Sequence, residues 1–69
     1  MGITLKAARV NKNFTQKQAA KEIGVSKETL ANWESGKSFP NAVHIASIER
    51  VYETRYDDII FLPNITAKP

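Results

Sequence analysis

The stretch TQKQAAKEIGVSKETLANWESG, Thr15 to Gly36, constrains the chain most. Two short helices and a glycine turn can be read from it residue by residue. The Thr15 hydroxyl is placed to accept from the Gln18 amide, and the Gln18 side chain to reach back to the Thr15 N–H. Ala19, Ala20 and Ile23 then recur on one face at helical spacing. Gly24 supplies the left-handed backbone that stops the first helix. Val25-Ser26 starts the second at once, with Ser26 as cap and Val25 set to staple onto Leu30. Leu30 and Trp33 continue the inward face, and Gly36 closes the helix. Two helices joined by a short glycine turn make a helix-turn-helix. The outward face of the second carries Lys27, Glu28, Ala31, Asn32 and Ser35, most of them groups that read base edges.

Size and charge narrow the choice of partner. At 69 residues the chain makes one small domain. Such a domain buries only about 60% of the surface its unfolded form exposes. Residues 1–40 hold seven Lys/Arg and three Glu, a balance of +4, while residues 41–69 hold three Lys/Arg and four acids, a balance of −1. The basic half coincides with the helix-turn-helix, as a chain facing a polyanion requires. The chain has no cysteine, which excludes disulfides and zinc-thiolate sites, and His44 is its one histidine. No cofactor, metal or small-molecule ligand is expected. No apolar run approaches a membrane span, and the opening MGITLKAARVNKN lacks the apolar core of a signal peptide. A cytoplasmic location without membrane contact is the expectation, and the acceptor pattern Asn64-Ile65-Thr66 then carries no weight.

The flanking segments supply the rest of a helical domain. A first helix is expected from Thr4 to about Val10, with Leu5, Ala8 and Val10 inward and Lys6 and Arg9 as its basic residues. Phe14, just before the Thr15 cap, is expected to plug the core between the first two helices rather than act as an intercalating wedge. Gln16 lies in the first turn of its helix, where free amides and the helix dipole favour a phosphate. Glu34 falls near the interior end of the helix that begins at Lys27. A carboxylate there needs a partner, and Arg9 is the candidate. Phe39-Pro40 makes a rigid apolar corner. Asn41 caps a further helix to about Tyr52, carrying Ile45, Ile48 and Tyr52 inward, with His44 expected on the solvated side. A last short helix is expected from Thr54 or Arg55 through Ile60, its Asp57 and Asp58 suiting a positive N-terminal end. Pro63 ends it. No nucleophile–base pair is legible, and adjacent carboxylates on a helix point apart, so no enzyme is expected.

This pattern resembles the lambda-repressor-like family of phage Cro and repressor proteins. The resemblance runs from about Leu5 to Ile60 and rests on Arg9, Phe14-Thr15-Gln16, Gln18-Ala19-Ala20, Gly24-Val25-Ser26, Thr29-Leu30, Trp33-Glu34-Ser35-Gly36-Lys37 and Pro40, followed by Tyr56-Asp57-Asp58-Ile59. It implies an all-α, compact five-helix domain whose third helix enters the major groove. It also implies base reading by Lys27, Glu28 and Asn32, and phosphate contacts by Gln16, Thr29, Ser35 and Lys37. Arg9 and Glu34 would form an internal ion pair, and a dimer contact would include Tyr56, Ile59, Ile60, Phe61 and Leu62. Two departures stand out: Glu49 where the family has a small residue, and Glu53-Thr54 where it has a glycine and an aliphatic.

The expectation is therefore a DNA-binding domain over residues 1–62 with a tail over 63–69, without the effector-sensing or self-cleaving domain of larger repressors. As a homodimer on a pseudo-palindromic operator in double-stranded DNA, it would regulate transcription for a phage or mobile element. The alternative reading is a protein-interaction module, such as the antidote half of a toxin pair. Glu28 keeps two readings: an acceptor for a cytosine amino group, or a solvated charge favoured by the helix N-terminus.

Overall fold

Each α-helix starts on a side-chain oxygen. In the computed structural model, which describes residues 2–61, the Thr4 hydroxyl oxygen accepts from the Ala7 amide at 3.1 Å to open α1 (Leu5–Asn11). Thr15 and Gln18 form the full reciprocal box at the head of α2 (Gln16–Ile23), at 3.1 and 2.9 Å. Ser26 accepts from the Thr29 amide to open α3 (Lys27–Ser35), and Asn41 accepts from the His44 amide to open α4 (Ala42–Tyr52). The stops are equally local. Gly24 and Gly36 take left-handed φ values of 96° and 84°, where a Cβ would be strained. Helix α4 stops on Glu53 at φ 53°, so the family's glycine position keeps the same backbone without glycine.

The core is shared by all four helices. Ala19 and Ala20 of α2 are fully buried with Leu30 and Trp33 of α3, and Ile48 and Tyr52 of α4 close over them. The small alanines allow close backbone approach there, so α3 is held on a rigid seat rather than on a loop.

The fifth helix of the expected all-α fold does not form. Tyr56–Asp58 makes one turn of 3₁₀ helix, and Ile59–Ile60 (β2) runs parallel to Ile3–Thr4 (β1), pairing Ile3 with Ile59 and Thr4 with Ile60. The fold is thus mostly helical, four α-helices with a small strand pair. Ile3, Thr4, Ile59 and Ile60 are all β-branched and suit an extended backbone, and a segment this short does not repay helix nucleation. The Glu49 carboxylate accepts from the Tyr56 amide at 2.7 Å, so this departure from the family pattern ties the last turn to α4.

Three smaller expectations also change. Val10 is 52% exposed; the inward place on α1 belongs to Arg9. His44 is half-buried, its ring 5.3 Å from that of Trp33, instead of lying on the solvated side. Phe14 is half-buried with its ring 6.5 Å from Tyr52, so it packs toward α4 as well. Leu62, Pro63 and the tail assigned to 63–69 lie outside the described residues.

Candidate nucleic-acid interface

A buried polar knot lies under the exposed side of α3. Arg9 and Glu34 are 8% and 9% exposed. The Arg9 Nε donates to Glu34 Oε2 at 2.7 Å, and Nη2 donates to Oε1 at 3.3 Å. Arg9 Nη1 donates to the Phe14 carbonyl at 2.9 Å, and Gln16 Nε2 donates to Glu34 Oε1 at 3.0 Å. A two-pronged pairing of this kind is what a desolvated carboxylate requires. The knot joins α1, α2 and α3 and sets the angle between them. Sequence reasoning paired Arg9 with Glu34 but missed Gln16, because a neutral amide carries no charge signal.

Beneath the knot lies Tyr52. Its hydroxyl is buried without a hydrogen-bond partner. Burial pushes its pKa well above the ordinary tyrosine value of 10.0; the Glu34 charge pushes the same way and Arg9 opposes it.

On the outer side of α3, Lys27, Glu28 and Asn32 are exposed on one helix. Glu28 and Asn32 are four residues apart and lie nearly one above the other, with Lys27 beside Glu28 in the first turn. Their chemistry covers guanine, cytosine and adenine edges respectively. Asn32 does more than present a side chain. Its carbonyl accepts from the Lys37 amide at 2.9 Å and from the Ser35 hydroxyl at 3.2 Å, so the end of α3 is wound onto it. That second duty was invisible in sequence.

The residues matched to phosphate contacts do not form one cluster. Thr29 is half-buried, its Oγ1 accepting from the Ser26 hydroxyl at 2.9 Å. Lys37 is exposed just beyond Gly36. Gln16 and Ser35 instead line one groove, together with Lys6, Arg9, Ala31 and Glu34. Among the described residues no group of three or more His, Cys, Asp or Glu is placed to hold a metal, and no helix is long and apolar enough to cross a membrane.

The residues matched to a dimer contact divide. Ile59 is 8% exposed and belongs to this chain's own core, because β2 carries it inward beside β1; it is corrected out of the dimer set. Tyr56 and Ile60 are exposed, and Phe61 is half-buried between the rings of Tyr56 and Phe39, at 5.7 and 6.3 Å.

Two capped helices crossing at a left-handed glycine, with the second leaving its polar side open, define a class of domain, the helix-turn-helix. The family model of that description matches residues 5–59, and the chain belongs to the helix-turn-helix family of the Cro/C1 type. It is 34% identical over 56 residues to the HTH-type transcriptional activator BcrR of Enterococcus faecalis, covering 81% of this chain and 28% of that protein. It is 36% identical over 59 residues to an uncharacterized HTH-type transcriptional regulator of Archaeoglobus fulgidus, covering 86% and 83%. A third relative, the type II methyltransferase M1.ScrFI of Lactococcus lactis subsp. cremoris, is 36% identical over 56 residues, 77% of this chain and 14% of that enzyme. The chain therefore spans only a small part of the activator and of the methyltransferase, and most of the archaeal regulator. No solved structure matches the chain.

Proposed function

We propose that this chain is a sequence-specific DNA-binding transcriptional regulator of the Cro or repressor kind. It binds a pseudo-palindromic operator as a homodimer, with α3 in the major groove. The observation that carries this reading is the exposure of Lys27, Glu28 and Asn32 on one helix whose opposite side is locked into the core by Leu30, Trp33 and Glu34. A rigid helix with an unpaired donor–acceptor set is what base reading requires. Two relatives, one described as a transcriptional activator and one as an uncharacterized transcriptional regulator, support regulation of transcription through DNA binding. The methyltransferase shares only the helix-turn-helix region, so it lends no catalytic role. Thr29, Ser35 and Lys37 hold the backbone on either side of α3. Tyr56, Ile60 and Phe61, with Phe39, supply the apolar part of the dimer contact.

Selection of bound sites from random duplex DNA tests binding, half-site symmetry and specificity together. On a panel of single-base variants of the selected site, Asn32→Ala should cost about 1–3 kcal/mol on the preferred sequence and relax specificity at one base pair. Lys37→Ala should weaken all variants alike and lower the salt slope by about one. An Asn32→Ala protein that loses affinity equally for every variant would show that α3 does not read bases through this residue.

A further inference from the structure

One residue holds the end of α4 to the segment that follows it. The Glu49 backbone carbonyl accepts from the Glu53 amide and, at 3.3 Å, from the Thr54 amide, where the helix stops. Its side chain then reaches seven residues ahead, and Oε2 accepts from the Tyr56 amide at 2.7 Å. That amide opens the 3₁₀ turn Tyr56–Asp58, for which Arg55 supplies no capping side chain. Glu49 therefore caps this turn from another helix. A single turn does not repay its own nucleation, so a short, charge-assisted bond decides whether it stays wound. Glu49 is half-buried and takes part in neither ion pair of the described residues, so the Tyr56 amide and not a cation holds its carboxylate.

The turn carries exposed apolar surface. Tyr56 is 46% exposed, and its ring lies 5.7 Å from that of Phe61. Phe61 in turn lies 6.3 Å from Phe39, which is 56% exposed. The three rings form one row. Phe39 stands on the loop that leaves α3 after Gly36, just ahead of buried Pro40 and the Asn41 cap. The row is thus tied to α3 at the Phe39 end and to α4 at the Tyr56 end, there through Glu49.

We propose that Glu49 is a positioning residue for the homodimer, fixing the row of rings so that two copies take half-sites at one spacing. The proposal rests on the homodimer reading and goes beyond it. In a two-fold dimer, the distance between the two α3 helices follows from where each chain's contact surface lies relative to its own α3. A turn held from α4 gives that surface one place. A turn released from α4 gives it several, and the dimer-competent arrangement becomes a smaller fraction of the population. The small residue that stands at this position in the family pattern is too short to make the bond, so the positioning comes from this chain's own departure from it.

The test separates reach from charge. Glu49→Gln keeps the length and an acceptor oxygen but loses the charge. Glu49→Asp keeps the charge but is one methylene short, and Glu49→Ala loses both. Each protein is measured on duplexes with two copies of the half-site that the wild type selects, at the selected spacing and with one base pair added or removed, and on a single half-site. Wild type and Glu49→Gln should prefer the selected spacing. Glu49→Asp and Glu49→Ala should bind that duplex about ten-fold more weakly, the factor one hydrogen bond to a charged group is worth, and should discriminate less between spacings. All four should bind the single half-site alike, with the same base preference. Hydrogen exchange at the Tyr56 amide reads the bond without DNA: it should be slow in wild type and Glu49→Gln and about ten-fold faster in the other two. A Glu49→Ala protein with the wild-type spacing preference, or a fast Tyr56 amide in wild type, overturns the positioning role and leaves the homodimer standing. Glu49→Asp behaving as wild type while Glu49→Gln behaves as Glu49→Ala overturns it as well. A wild-type protein that binds paired half-sites no better than a single one removes the homodimer and the role together.

Discussion

Arg9 and Glu34 show how one residue pair can be indispensable without being a source of stability. Each is buried, and each satisfies the other through two hydrogen bonds. Removing either partner strands a charge in the interior. Arg9→Met or Glu34→Leu alone should destabilise the domain by about 3–5 kcal/mol, whereas the double substitution should be near neutral. Urea unfolding of the four proteins measures this, and two single losses that simply add would refute the pairing argument. Tyr52 makes the complementary case. Its buried hydroxyl has no partner, so Tyr52→Phe removes a desolvated group at no cost in packing and should be neutral or stabilising at pH 7. The pH dependence follows from the direction of its shift. The folded pKa lies above the unfolded value of 10.0, so stability is whole below that pH and falls as the unfolded state ionises above it. Thermal melts between pH 8 and pH 11 should show this alkaline loss in the wild type and a smaller one in Tyr52→Phe. Equal losses would mean that another group governs the alkaline limit.

At the scale of elements, termini carry most of the information. Four helices begin on Thr4, Thr15, Ser26 and Asn41. Residues of this kind satisfy orphan amides within a few positions of themselves, so no distant contact is needed to place the boundaries. The exception is the end of α4, where Glu53 holds a left-handed backbone that costs a residue with Cβ about 1–2 kcal/mol. Its ion pair with Lys12, 3.1 Å, has one largely exposed partner and returns little. Glu53→Gly should therefore raise stability by about 0.5–1 kcal/mol, after the added freedom of glycine in the unfolded chain is subtracted. In a domain this small that is a melting temperature higher by about 2–8 °C. A lower melting temperature would place the value of Glu53 in its side chain and not in its backbone.

At the scale of the whole molecule, the first and last segments of the described residues meet. Strand β2 lies against β1, buries Ile59 and leaves Ile60 about half exposed. The neighbouring residues of one strand thus differ: Ile59 closes the core of this chain, and in the proposed homodimer Ile60 meets the second copy. For the proposed homodimer, Ile60→Asp should leave the melting temperature within a few degrees of wild type and shift sedimentation at high concentration to monomer. Its affinity for a two-half-site operator should drop far more than for a single half-site, because the linked second contact is lost. A wild-type chain that sediments only as monomer, free and on operator DNA, defeats the dimer.

Local chemistry was enough to specify α2, the Gly24 turn and α3, because caps, left-handed glycines and a helical apolar period all act within a few residues. The same short-range rules identified Glu34 as a carboxylate in need of a partner and Lys27, Glu28 and Asn32 as an outward polar set. Other features depended on residues far apart in sequence. Ile59-Ile60 behind two aspartates reads locally as the continuation of a helix, and two residues are too few to show a strand period. Only the arrival of Ile3-Thr4 from the other end of the chain makes extended backbone the better hydrogen-bonded choice there. Gln16 joins the Arg9–Glu34 knot, His44 meets Trp33, and Lys6, Gln16 and Ser35 share one groove for the same reason. Each is a meeting of side chains from different helices, decided by how the helices pack and not by any one segment's preference.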